Sequence, residues 1–113
     1  MERISAEELE RRVAAAGKPI AAVFVRKGSE PAQRLLEACA QVPAAVAGRY
    51  SFVAIDVDRD AARLDQLRIH KVPELILYAS GRIVERSEGA MSAAELEALL
   101  EYVLANMLPS GGA

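Results

Sequence analysis

The sequence predicts an α/β domain in which helices cover both faces of a mixed central β-sheet. Two apolar runs, Ile20 to Val25 and Ser51 to Val57, are typical of buried strands, and a helical pattern follows each of them. This alternation of strand and helix predicts parallel strands. Two further strand patterns, Glu74 to Ala79 and Arg82 to Ser87, are joined by the turn signal Ser80-Gly81 and predict an antiparallel hairpin.

The composition excludes several classes of protein. The chain has 113 residues, 52% of them hydrophobic, and a net charge of −2, which fits one domain and gives no case for a nucleic-acid partner. No apolar run approaches the roughly 18 residues of a membrane span, and the N-terminus lacks a signal-peptide core. We therefore expect a cytoplasmic protein with no membrane partner. Its single domain is expected over residues 1–108, with a flexible tail over residues 109–113.

The start of the chain carries clear signals for helix ends and turns. Ser5 to Glu8 has the pattern of a capping box that opens a first helix, and Gly17 is suited to end it. After the first apolar run, Gly28 is expected to turn the backbone. Ser29 and Pro31 then suit the cap and the first turn of the next helix.

The remaining helices follow from the spacing of apolar residues. The second helix has one apolar face, formed by Leu35, Cys39, Val42 and Val46. Pro43 lies inside this pattern and is expected to kink or end the helix. Asp58 or Asp60 is expected to cap a short third helix. Ser92 to Glu95 is a second capping box before a helix with a long apolar stripe. The residues of that stripe are Leu96, Leu99, Leu100, Val103, Leu104 and Met107.

This order of elements resembles the thioredoxin fold, and short motifs at matching positions strengthen the resemblance. In chain order they are Lys18-Pro19, Phe24, Val53 to Asp58, Val72-Pro73, Ser80-Gly81-Arg82 and Gly89-Ala90. The resemblance extends over about residues 3 to 107. It implies the thioredoxin fold and a cis peptide bond between Val72 and Pro73.

The positions that carry redox chemistry in thioredoxins hold other residues here. The resemblance places Ser29 and Ala32 at the two cysteines, and Gly28 at the tryptophan before them. It places Val23 at a buried aspartate that helps to move protons, and Ala54 at an accompanying lysine. Disulfide exchange needs a nucleophilic thiolate and a second thiol that resolves the mixed disulfide. The resemblance therefore implies a redox-inactive member of the family, with no catalytic residues and no enzymatic activity.

Other polar residues have two interpretations each. Cys39, the only cysteine, is either a small buried apolar residue or a reactive thiol. Asp56, Asp58 and Asp60 have the spacing that begins a calcium loop, but the later ligand positions do not match, which favours a strand end and a helix cap. His70 is a solvated loop residue or a contact to a partner. The sequence therefore predicts no metal site and no cofactor.

The leading hypothesis is a protein-binding or chaperone-like module. The resemblance implies a groove beside the cis-proline, where thioredoxins hold an extended segment through backbone hydrogen bonds, and such recognition needs no cysteine. The residues expected to contact a partner polypeptide are Gly28, Ser29, Glu30, Pro31, His70, Lys71, Val72, Pro73 and Glu74. Glu30, Lys71 and Glu74 are expected at the rim, where charge sets partner choice. The helix N-terminus at Ser29 also favours an anion or a partner carboxylate.

Two alternatives stay open at this point. The first is an atypical thiol oxidoreductase or redox sensor that uses Cys39, which requires an exposed thiol with a lowered pKa. The second is a structural subunit that docks by another face. The sequence leaves the identity of the partner and the oligomeric state open.

Overall fold

A computed structural model describes residues 1–15 and 17–108 of the chain. The strands in this part are β1 (Glu2–Arg3), β2 (Ile20–Val25), β3 (Ser51–Asp56), β4 (Glu74–Ala79) and β5 (Arg82–Glu88). The helices are α1 (Ala6–Ala14), α2 (Glu30–Ala40), α3 (Ala44–Ala47), α4 (Ala61–Gln66) and α5 (Ala93–Asn106). The expected flexible tail at residues 109–113 lies outside the described residues.

The strands form one mixed sheet in the order β1-β3-β2-β4-β5. β1, β3 and β2 run parallel, whereas β4 is antiparallel to β2 and β5 is antiparallel to β4. The prediction of a mixed sheet with helices on both faces is therefore confirmed. None of the described helices is long and apolar enough to cross a membrane.

The buried strand β2 separates two hydrophobic cores. Its residues Ala21, Val23 and Val25 face a core that α2 and α5 cover. Its residues Ile20, Ala22 and Phe24 face a core that α1 and α4 cover. All six are buried, as expected for a central strand with helices on both sides.

Serine caps fix the starts of three helices. Ser5 Oγ accepts a hydrogen bond from the N–H of Glu8 at 3.0 Å, and Ser92 forms the predicted reciprocal capping box with Glu95.

The prediction that Gly17 ends α1 is wrong, because the helix ends at Ala14 and Ala15 caps it.

Three further details of the chain path differ from simple patterns. Pro43 ends the pattern of α2 and occupies the N-cap of the separate helix α3. Asp60 is the N-cap of α4, but its carboxylate makes no capping hydrogen bond and lies 3.4 Å from Arg63 instead. β1 was not predicted from the sequence, since two residues are too short to show a period. It is defined by its pairing, Glu2 with Val53 and Arg3 with Ala54.

Candidate functional site

The connection between β2 and α2 forms one side of the candidate site. Gly28 adopts a φ of +84°, a conformation that costs a glycine little, and it turns the chain toward the helix. Ser29 is the N-cap of α2, and its Oγ accepts a hydrogen bond from the N–H of Ala32 at 3.2 Å. Pro31 lies in the first turn. The local sequence therefore builds a capped helix start at this position.

The loop before β4 forms the other side. The peptide bond between Val72 and Pro73 is cis. The carbonyl of Pro73 accepts a hydrogen bond from the N–H of Gly89 at 2.8 Å. Among the described residues, no hydrogen bond uses the backbone N–H or C=O of Val72. These two groups are available to an added strand.

The register of β2 and β4 brings the two loops to the same end of the sheet. Phe24, near the end of β2, pairs with Glu74, the first residue of β4. The Gly28 turn and the Val72–Pro73 bond consequently lie at neighbouring strand ends. Most of the residues expected to contact a partner polypeptide are exposed, namely Gly28, Glu30, Pro31, His70 and Lys71. Ser29 and Val72 are half-buried, and Pro73 is buried.

Glu74 does not lie at the rim, and this expectation is wrong. Its side chain is only 3% exposed, and its Oε2 lies 2.6 Å from Nε of Arg86. The reason is that all six residues of β4 are buried, on both faces of the sheet, and Glu74 shares one face with Ile76 and Tyr78. Arg86 lies twelve residues away on the neighbouring strand. The hairpin register pairs Glu74 with Glu88 and Ile76 with Arg86, so Arg86 reaches Glu74 diagonally across the two strands.

Two buried positions, Val23 in β2 and Ala54 in β3, correspond to the aspartate and the lysine that help to move protons in thioredoxins. Neither position carries a titratable group here. Val23 and Ala54 are direct neighbours in the parallel pairing of β2 and β3. Both are almost fully buried and apolar. The site therefore has no buried carboxylate or ammonium group at these positions.

Cys39 lies away from this site, on the third turn of α2. It is ten residues from Ser29, about 15 Å along a helix axis. Its side chain is buried in the core between the sheet and α2, as predicted. Burial raises the pKa of the Cys39 thiol to about 11, so at neutral pH the thiol is protonated and weakly nucleophilic.

The acidic residues at the end of β3 stabilise the turn that follows it. Oδ1 of Asp56 accepts a hydrogen bond from the N–H of Asp58 at 2.9 Å. Among the described residues, no group of three or more His, Cys, Asp or Glu side chains is placed to hold a metal ion. The short turn motif is typical of a strand end.

A cavity of about 320 Å³ opens beside the Gly28 turn. It is lined in part by Arg26, Lys27, Gly28 and Ser29, so it adjoins the candidate site. Arg3 of β1 also lines it. Sequence reasoning missed Arg3, because nothing in a two-residue strand signals that it pairs beside β3.

Comparisons with known proteins agree with this architecture. A family model described as a thioredoxin-like domain matches residues 7–104. A thioredoxin-like protein from Synechocystis sp. is 31% identical over 84 residues, which cover 74% of this chain and 80% of that protein.

Two solved structures are also similar. The crystal structure of chloroplastic thioredoxin z has 27% identity and a TM-score of 0.83, covering 94% of this chain and 96% of that one. The structure of Plasmodium falciparum thioredoxin has 19% identity and a TM-score of 0.77, covering 89% of this chain and 97% of that one. The second likeness bears on the fold alone.

Proposed function

The chain belongs to the thioredoxin-like family, and we propose that it acts there as a redox-inactive, chaperone-like module that binds a partner polypeptide beside the Val72–Pro73 bond. One observation carries this proposal. The hydrogen bond from the N–H of Ala32 to Oγ of Ser29 joins the two positions at which thioredoxins carry their redox cysteines. A hydroxyl engaged in a helix cap and a methyl group supply neither an attacking thiolate nor a resolving thiol.

Recognition of a polypeptide needs different groups, and these are present. The N–H and C=O of Val72 make no hydrogen bond among the described residues. An extended segment can use both groups to add a short strand at this end of the sheet. Glu30 at the start of α2 and His70 and Lys71 just before Val72 are exposed, and we expect them to supply contacts that distinguish one segment from another.

The placement of Cys39 supports recognition over thiol chemistry. Its burial and its raised pKa are the opposite of what a reactive cysteine requires. Because the chain has a single cysteine, it forms no internal disulfide and needs no oxidising compartment. We therefore propose that it acts in the cytoplasm. Type-specific target recognition is described for chloroplastic thioredoxin z, and we propose that this chain also recognises targets, without redox chemistry of its own.

The proposal is tested with a partner captured from an extract of the source cells and then purified. Binding is measured directly for the wild type, for Lys71→Glu and for Arg82→Glu. Both variants replace an exposed cation that is in no ion pair among the described residues, and they lie near opposite ends of β4. We expect Lys71→Glu to weaken binding about fivefold at low salt and Arg82→Glu to leave it unchanged. Loss of binding in Arg82→Glu with none in Lys71→Glu would contradict the proposed surface.

A further inference from the structure

The cavity beside the Gly28 turn has a positive charge balance in a chain whose net charge is −2. Three cationic residues line it: Arg3, Arg26 and Lys27. Asp56 is the one carboxylate among the lining residues. The local balance is therefore opposite in sign to that of the whole chain.

The existing contacts leave part of this charge uncompensated. Asp56 uses Oδ1 to accept the N–H of Asp58, and Asp58 in turn lies 3.3 Å from Nε of Arg26. Arg3 and Lys27 form no ion pair among the described residues. Two exposed cations thus face the cavity without a carboxylate of their own.

We propose that the partner segment carries an acidic side chain, which enters this cavity and pairs with Arg3 and Lys27. This inference rests on the proposed binding of a segment beside Val72. The cavity and the candidate site share Gly28 and Ser29, so a segment that crosses this turn passes from one to the other without a gap.

The strand order sets the expected spacing. Lys27 follows β2, one strand spacing from β4, whereas Arg3 lies on β1, three spacings away, so a segment that starts beside Val72 crosses about 5–14 Å to reach the two cations. An extended chain covers that distance in about two to four residues. The acidic residue is therefore expected about two to four positions from the residue that pairs with Val72.

A peptide carboxylate fits the cavity better than a polyanion does. Asp56 adds a negative charge to the lining of the cavity, and the net charge of −2 opposes the approach of a long anionic polymer. A single acidic side chain matches the one positive charge that remains when Asp56 and Asp58 are counted against the three cations. The remainder of the segment is held by the backbone groups of Val72.

A phage library of random linear peptides, selected against the whole protein, supplies the probe. The best selected peptide is synthesised in two versions. One has the selected sequence, and in the other, the amide peptide, Asn and Gln replace Asp and Glu. Binding of both peptides is measured to the wild type, to Lys27→Glu, to Lys71→Glu and to the control Arg82→Glu. Lys27 and Arg82 are both exposed, but Arg82 lies at the hairpin turn, far from the cavity.

We expect the selected peptides to be enriched in acidic residues at the stated spacing. Lys27→Glu, or replacement of the acidic peptide by its amide version, should weaken binding about five- to tenfold. This effect should become smaller at higher salt, because salt screens the charges. Arg82→Glu should bind as the wild type does. Suppose that a peptide binds Lys71→Glu more weakly than the wild type, but that neither the amide replacement nor Lys27→Glu weakens its binding. This result would overturn the acidic preference and leave the proposed function standing. Selection of no peptide, or of peptides indifferent to Lys71, would overturn both.

Discussion

Glu74 and Arg86 form an ion pair between β4 and β5, with 2.6 Å from Oε2 of Glu74 to Nε of Arg86. The Glu74 side chain is almost fully buried, and that of Arg86 is about one-third exposed. Nη2 of Arg86 also donates a hydrogen bond to the carbonyl of Arg68 at 3.3 Å. One guanidinium group therefore holds the residue after Pro73 and the loop before it against the edge strand β5.

Removal of this guanidinium should destabilise the fold. Arg86→Met leaves the buried carboxylate of Glu74 without its partner, so we expect a loss of about 2–3 kcal/mol in the free energy of unfolding. This loss is smaller than for a fully buried pair, because Arg86 is partly exposed. Denaturant unfolding gives the value. Arg82→Met is the matched control on the same strand, with an expected change within about 0.5 kcal/mol.

The origin of this effect can be separated from simple loss of packing. In the Arg86→Met background, Glu74→Gln removes the buried charge and should recover part of the lost stability. Equal unfolding free energies for Arg86→Met and Arg82→Met would show that the ion pair contributes nothing. A further loss on adding Glu74→Gln would contradict the buried-charge explanation.

The protein should show no disulfide reductase activity. Ser29 and Ala32 supply no thiol, and the Cys39 thiol is buried. Insulin reduction, driven by dithiothreitol or by a thioredoxin reductase, is the direct assay. Turnover above the protein-free control that disappears in Cys39→Ser would contradict this prediction and support an oxidoreductase that uses Cys39.

Cys39 should react slowly with alkylating reagents in the native state. The residue is 7% exposed and burial raises the pKa of its thiol to about 11, so little thiolate is present and little of it is reachable. Labelling in native buffer should be slow and should rise sharply in denaturant. Cys39→Ala should cost about 1 kcal/mol of stability without a change in partner binding. Rapid native labelling would exclude this buried placement.

Stability should fall at alkaline pH. Burial raises the pKa of Cys39 from 9.0 to about 11 and that of Tyr50 from 10.0 to about 12. The folded state favours the protonated forms, so the unfolded chain ionises first. The stabilisation is complete below about pH 9 and is lost as the pH rises toward 12.

The same titration has a simple control. The double variant Cys39→Ala, Tyr50→Phe removes both groups and should lose less stability than the wild type between pH 9 and pH 11. Tyr50→Phe also removes the hydrogen bond from Tyr50 Oη–H to the carbonyl of Leu100, at a cost of about 1 kcal/mol near neutral pH. Parallel pH profiles for variant and wild type would show that neither group is responsible.

The sequence predicted the elements that have a strong local pattern. The unbroken apolar run of β2 and the capping box at Ser92 were both confirmed in place. The strand β1 was missed, because a two-residue strand is defined by its neighbour β3 and not by its own residues. Arg3 was therefore absent from the predicted site.

The site was harder to predict, since its details depend on long-range pairing. The loops at Gly28 and Val72 could be placed together by resemblance alone, and the register of Phe24 with Glu74 accounts for their position. Glu74 was misplaced because β4 is buried on both faces from its first residue, and because its carboxylate has Arg86 across the hairpin as a partner. Neither fact is visible in the residues around it.

The central claim is that a partner segment binds beside Val72 without thiol chemistry. The most direct measurement is an amide NMR titration of the isotope-labelled protein with the purified partner or a selected peptide. The account predicts the largest shifts over residues 28–31 and 70–73, with slower hydrogen exchange at the Val72 N–H once it donates to the added strand. Shifts confined to α1 and α4, or to the outer edge of β5, with Val72 unchanged would contradict it.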